Sequence, residues 1–247
     1  MVKACNVSHL WLFGILHLLV YPASNGYNTY FDRDTGPIGG LASPPNVTLS
    51  LGRLVQVMDL AALVLTWMVV PKVFVGVLVY QVASRLYSYH RVRIKALPWL
   101  SLVMVGLFQG VLIYAMIAAL ASQAIAPGPL AAIFVYLVAS YPITQAYQMD
   151  EDARRGDTTV AMVLGTKGCL AATGLLFGIF LALAWAVVPK VEVLVLCLAP
   201  VLVAYTRLVL RFRQGFPLVY KDVFGLVVLN GLGVVAYAGI YYLMGRS

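Results

Sequence analysis

Long apolar runs separated by short polar stretches set the pattern of this chain. The runs fall at residues 9–23, 55–70, 73–86, 98–121, 127–147, 168–188, 191–210 and 223–244. Each is continuous, with little alternation, which predicts helices, because the strands of a membrane barrel switch sidedness at every residue. A helix that crosses a bilayer needs about 20 residues, with about 17 as the lower bound. The runs at 9–23 and 73–86 reach that length only with their polar flanks. The pattern predicts about eight transmembrane helices, with the Pro71–Lys72 break between the second and third as its weakest point.

Composition agrees with this pattern. Only 11% of the 247 residues are charged and 62% are hydrophobic, against about 25% charged in a soluble domain. The chain is therefore expected to be a multi-pass integral membrane protein, one domain over residues 1–247 with no linker long enough to divide it. Thirteen of its seventeen Lys and Arg lie in the loops around 25–53, 85–96, 149–167 and 207–221, while the opposite face keeps Lys3, Lys72, Lys190 and Arg246. Basic loops stay in the cytoplasm, so those four loops are placed there and both termini outside, as in a bacterial inner membrane. The net charge of +8 is mostly this topology signal, and no nucleic-acid partner is expected. Cys5, Cys169 and Cys197 have no metal-ligand spacing and read as apolar filler. Of the sequons at Asn6 and Asn46, the second falls in a loop assigned to the cytoplasm.

Six of the nine acids occupy two short stretches: Asp32 and Asp34 in one, and Asp150, Glu151, Asp152 and Asp157 in the other. Each stretch follows an apolar run at the cytoplasmic side, and four spans separate them, so both reach the same face. Asn28 and Asp32 are four residues apart and share one side of a helix; Gln148 and Asp152 repeat the spacing. Clustered carboxylates at a membrane boundary resist ionisation unless positive charge sits between them. Hard divalent cations, Mg²⁺ above all, take such oxygen ligands and fill their shell with water and substrate phosphates. The bland alternative is a pair of solvated turns with capping acids. A third stretch on the same face carries Arg85, Arg91, Arg93 and Lys95. Positive-inside anchoring explains its charge alone, but Arg and Lys also bind phosphate oxygens. Acids, a divalent cation and basic side chains at the mouth of an apolar bundle suit a lipid with a diphosphate head.

At this point the chain resembles the UbiA-type intramembrane prenyltransferases over nearly its whole length. That family's first motif, Asn-Asp-x-x-Asp-x-x-x-Asp at a helix end, meets Asn28, Thr29, Asp32 and Gly36 here, with Asp34 between the last two. Its middle loop, Tyr-Ser-x-Pro-Pro-x-Arg-x-Lys, is matched by Tyr87, Ser88, Arg93 and Lys95, with His90 and Arg91 in place of the prolines. Its second motif, Asp-x-x-x-Asp followed by Gly and Thr, is matched by Asp152, Gly156 and Thr159, with Gln148 at the first Asp. The family usually has nine spans and carries its first motif after the second; here the motif follows the first, as in a branch lacking one N-terminal helix.

The resemblance implies an all-α helix bundle around a central cavity open to the cytoplasmic face. It also implies Mg²⁺-assisted loss of diphosphate from a polyprenyl diphosphate and transfer of the prenyl group to an aromatic or lipophilic acceptor. On it, Asp32, Asp152 and Lys95 are the expected catalytic residues, and Asp32, Asp34, Asp150, Glu151 and Asp152 the metal ligands. Asn28, Tyr87, Arg93, Lys95, Gln148, Arg154 and Arg155 are the expected substrate contacts. Asp157, just past Gly156, is expected to cap a turn and to matter least of the acids. Asp59 sits near the start of the second span, as a functional group or an interfacial one. Tyr27, Gln109, Gln145 and Tyr147 are cavity or packing residues. Two rival functions stay open: a membrane terpene cyclase of the same family, and a transporter or lipid-binding protein that uses the acids as an ion site.

Overall fold

The computed structural model describes residues 7–39 and 41–244, so Lys3, Cys5, Asn6 and Arg246 lie outside the described residues. Regular structure among them is helical, apart from one isolated bridge between Ile38 and Leu41. The helices are α1 (Val7–Asp32), α2 (Leu49–Val69), α3 (Phe74–Ser88), α4 (Pro98–Leu120), α5 (Pro127–Gln145), the short α6 (Met149–Arg154), α7 (Val160–Val187), α8 (Val191–Arg213) and α9 (Tyr220–Met244). Seven of them, all but α3 and α6, are long and apolar enough to cross a membrane. Trp67, Trp185 and Leu196 stand exposed along them, as lipid-facing side chains do. This is a multi-pass integral membrane protein.

Each of the eight apolar runs falls on its own helix, overrunning its ends by about two residues at most. The Pro71–Lys72 break is a 3₁₀ turn, Pro71–Val73, that leads into the 15 residues of α3. Turn and helix together rise about 28 Å, close to the ~30 Å of a hydrocarbon core. The far end of α3 lies on the face where α1 ended, because Lys95, just beyond it, touches Asp32.

Core side chains divide the bundle into two halves. Leu12, Val20, Ala62, Val77, Tyr80 and Met116 join α1 to α4 in the first. Leu170, Phe180, Leu194, Leu198, Val223 and Leu226 belong to the second, built from α5 and α7 to α9. Val105, Tyr141 and Val160 close the seam between them. Two departures from regular helix bear on the site. Helix α1 stays helical through its polar end and stops at Arg33, a left-handed residue with φ 51°. Helix α6 stops at Gly156 (φ 77°), where the Asp157 amide donates to the Asp152 carbonyl at 3.0 Å and the Gly156 amide to Ala153 at 3.0 Å. This is a Schellman cap, whose left-handed position favours glycine.

Candidate active site

The charged side chains converge where the two halves meet. Asn28 and Asp32 share the inner side of the last turns of α1, as their spacing predicts. The turn at Arg33 swings Asp34 back beside Asp32; inside a continued helix it would face away. On the other half, Asp152 and Arg155 point inward from α6, and the Gly156 turn brings Asp157 in after them. All four Asp side chains are under 10% exposed.

Three cations interleave with these acids. Lys95 Nζ pairs with Asp32 Oδ2 and donates to Asn28 Oδ1 at 3.3 Å. Arg93, itself left-handed at φ 45°, grips Asp157 with two donors, Nε and Nη2 (2.6 Å for the latter), and reaches Asp32 at 3.2 Å. Arg155 pairs with Asp34 through Nη1 and with Asp152 through Nη2, and lies 3.5 Å from Asp157. Arg93 and Arg155 thus each tie an acid of the first stretch to an acid of the second. Burial beside Asp157 and Asp32 pushes the Asp152 carboxyl up to about 6, with Lys95 pulling the other way. Burial also raises Asp157, but the Arg93 guanidinium outweighs it and holds that carboxyl below its ordinary value.

A cavity of 240 Å³ opens among these groups, lined by Asn28, Asp32, Asp34, Lys95, Asp152, Arg155 and Asp157 together with Tyr87, Tyr141, Gln145 and Tyr147. Gln145 donates to the Tyr141 hydroxyl at 2.8 Å and leaves its own buried Oε1 bare. Gln148 also lines the cavity and fastens the loop after α1 by donating to the Pro37 carbonyl at 3.0 Å. A smaller cavity of 150 Å³, lined by Ser24, Asn25, Tyr80, Phe108 and Gln109, adjoins it through Asn28 and Tyr87.

Three expected site residues stand elsewhere. Asp150 and Arg154, four apart on α6, lie on its solvent face, where Arg154 Nε donates to the Asp150 carbonyl at 3.3 Å. Glu151 accepts from the backbone amides of Thr35 and Gly36, at 2.8 and 3.3 Å, so it secures the loop. Asp157, ranked last from sequence, is instead buried at the centre of the ion-pair network; the signal that places it is Gly156, which reverses the chain. Asp59 pairs with Arg85, whose guanidinium lies 4.1 Å above the Tyr27 ring, so this group ties α1, α2 and α3 together away from the cavity.

Among the described residues no three His, Cys, Asp or Glu side chains form a ready metal cage. Mg²⁺ does not require one, since one or two carboxylates with substrate phosphates and waters complete its shell. The buried carboxylates and the amide oxygen of Asn28 have the hard-oxygen chemistry it takes.

The fold and sequence have known counterparts. A structure of a UbiA homolog from Archaeoglobus fulgidus bound to DMAPP and Mg²⁺ superposes with a TM-score of 0.66 at 16% identity, covering 96% of this chain and 88% of that one. The same homolog bound to GPP and Mg²⁺ gives a TM-score of 0.60 at 16% identity, covering 96% and 89%. No curated protein matches the chain by sequence. The model of the UbiA prenyltransferase family matches residues 4–218, most of the chain, and the protein belongs to that family.

Proposed function

We propose that the protein binds a prenyl diphosphate with Mg²⁺ in the acidic cavity and transfers the prenyl group to an aromatic or lipophilic acceptor, in a bacterial inner membrane with the cavity facing the cytoplasm. One observation carries the reading. Buried carboxylates from both halves line one cavity together with Lys95, Arg155, Tyr87, Tyr141 and Tyr147, and Arg93 pairs with two of those carboxylates, Asp32 and Asp157. The A. fulgidus homolog, bound to DMAPP or GPP with Mg²⁺, supports the substrate class.

Asp32 and Asp152 are the principal ligands for the cation, with Asp34 and Asp157 beside them. When bound, Mg²⁺ neutralises the charge that gathers on a departing diphosphate. The chain's own residues do the rest. Arg93 and Lys95 turn their donors to the diphosphate oxygens, where the bond from the allylic carbon to oxygen breaks and its electron pair leaves with the diphosphate. Fixed cations hold that pair more strongly in the transition state than in the intact ester. The cavity's tyrosines exclude water from the allylic cation. The acceptor supplies the electron pair for the new bond to carbon and gives up a proton to the released diphosphate.

The test is purified protein incubated with DMAPP, GPP and longer prenyl diphosphates, membrane extract and Mg²⁺, read by diphosphate release and mass spectrometry of prenylated product. Release and a prenylated product are expected, both abolished by EDTA and restored by Mg²⁺. Full turnover in excess chelator, or substrate left intact with Mg²⁺ present, would overturn the reading.

A further inference from the structure

The second half of the bundle holds a larger cavity that the proposed chemistry does not use. It measures 350 Å³ and lies among α5, α7, α8 and α9, walled by Leu137, Phe177, Leu181, Val201, Leu226 and Val227. Such a volume suits a small organic ligand, since pockets of this kind run from about 300 to 1,000 Å³. Val227 is 47% exposed on the lipid-facing side, so the cavity is within reach of the bilayer. Thr144 lines both this cavity and the acidic one.

Its deep end is polar. Asn230 on α9 donates from Nδ2 to the Tyr136 hydroxyl on α5 at 2.7 Å, a bond that accounts for half of the amide. The other half is not accounted for: Asn230 Oδ1 and the Thr173 hydroxyl oxygen on α7 are both buried without a hydrogen-bond partner, and both residues line the cavity. Turning the amide over only exchanges which end is bare. A helix-to-helix bond needs one end of an asparagine, and a buried polar atom left unmade is costly. Tyr136, and with it Asn230, stands about 12 Å along the helices from Thr144, by the eight residues from Tyr136 to Thr144 at 1.5 Å each. A plain isoprenoid tail reaching that depth would leave both atoms bare.

We infer that this cavity is a binding site for an apolar molecule bearing a hydroxyl, a lipophilic phenol or alcohol. The hydroxyl sits between Asn230 and Thr173, and the apolar body runs toward Thr144. A hydroxyl both donates and accepts, so it meets the Asn230 amide in either orientation and can take the Tyr136 or Thr173 proton. Its polar end lies about 12 Å from Thr144, the residue shared with the acidic cavity, and its test reads binding alone, so the outcome does not depend on prenyl transfer.

The experiment measures binding of 4-hexylphenol and its methyl ether, 4-hexylanisole, to the purified full chain in a fixed detergent, by isothermal titration and by native mass spectrometry. The phenol is expected to bind about tenfold more tightly than the ether. Thr173→Val, which keeps the side-chain shape, and Asn230→Leu are each expected to bring the phenol down to the ether's level and leave the ether unchanged. Two results would overturn the inference. In one, phenol and ether bind equally, which marks a greasy hole filled by any alkyl chain. In the other, neither binds, which marks a water-filled or collapsed cavity. Binding of GPP with Mg²⁺ in the same variants reports on the acidic cavity alone and is expected to stay at the wild-type level.

Discussion

Removing the Asp157 carboxylate leaves the Arg93 guanidinium with one remaining partner, Asp32 at 3.2 Å. Losing its main partner costs a buried charge up to about 3 kcal/mol, less here because Asp32 remains, so Asp157→Ala is expected to lower the unfolding midpoint clearly in detergent. Arg154→Ala, on the solvent face, should stay within about 0.5 kcal/mol of the wild type. Equal midpoints for the two variants would contradict the placement. Asp152 offers a pH test. Its carboxyl titrates near 6 in the folded chain, above the ~3.9 of an unfolded one. The folded state therefore holds that proton more tightly, and the contribution is present at low pH and lost as pH rises through about 6. Asp157 has the opposite sign: its depressed value adds stability above the unfolded value and loses it as pH falls. Asp152→Asn is expected to be more stable than the wild type at pH 7.5 in chelated buffer, with the advantage gone by pH 4; a constant offset across that range would refute it. Asn28, Asp32 and Lys95 were legible in the sequence, because helical spacing and a matched motif both place them. Asp157 was not, because its position depends on a six-residue helix and a left-handed turn too short to leave a periodic signal. Asp150 and Arg154 were misplaced for the same reason, since clustering in sequence says nothing about which side of one short turn a residue takes.

Among the helices, α8 and α9 make a close backbone approach that a single substitution can test. A Cβ at Gly233 would meet the Cys197 carbonyl oxygen at 2.7 Å and a Leu198 methyl at 3.0 Å. A backbone oxygen cannot step aside, so Gly233→Ala forces the two helices apart at about 1–3 kcal/mol. Gly239→Ala on the same helix meets nothing within 4 Å and should leave the unfolding midpoint unchanged or slightly raised. The apolar runs foretold the long helices well, since burial in lipid demands unbroken apolar sequence. They missed where polar residues continue a helix. Helix α1 carries on to Asp32 through a stretch with little hydrophobicity, and α7 begins at Val160, ahead of the run at 168–188, and is broken at Gly165 (φ 63°, ψ 169°). Hydrogen bonds and ion pairs from Asn28 and Asp32 to Ser88, Arg93 and Lys95 hold the end of α1, whereas Val160 and Ala161 anchor the start of α7 by burial.

Across the whole molecule, the ion pairs require the loops after α1, α3 and α5 to share one face. On the proposed orientation, which rests on the basic-loop pattern, that face is the cytoplasmic one. Single cysteines at Thr35, Arg91 and Ala153, in a background without native cysteines, should react with an impermeant reagent only after the membrane is opened. One at Gln123, between α4 and α5, should react in intact cells. Reaction of any of the first three from outside would invert or break the map. The network that defines this face also bears on how fast the protein can let go. Four carboxylates and three cations already satisfy one another before any ligand arrives. On the proposed function, a diphosphate that comes with its own cation exchanges existing partners for new ones, and the net gain in contacts is small. Its departure is eased in the same measure, because Arg93, Lys95 and Arg155 have carboxylates waiting to take them back. On that function, the release of a multiply charged product is prepared in the resting state.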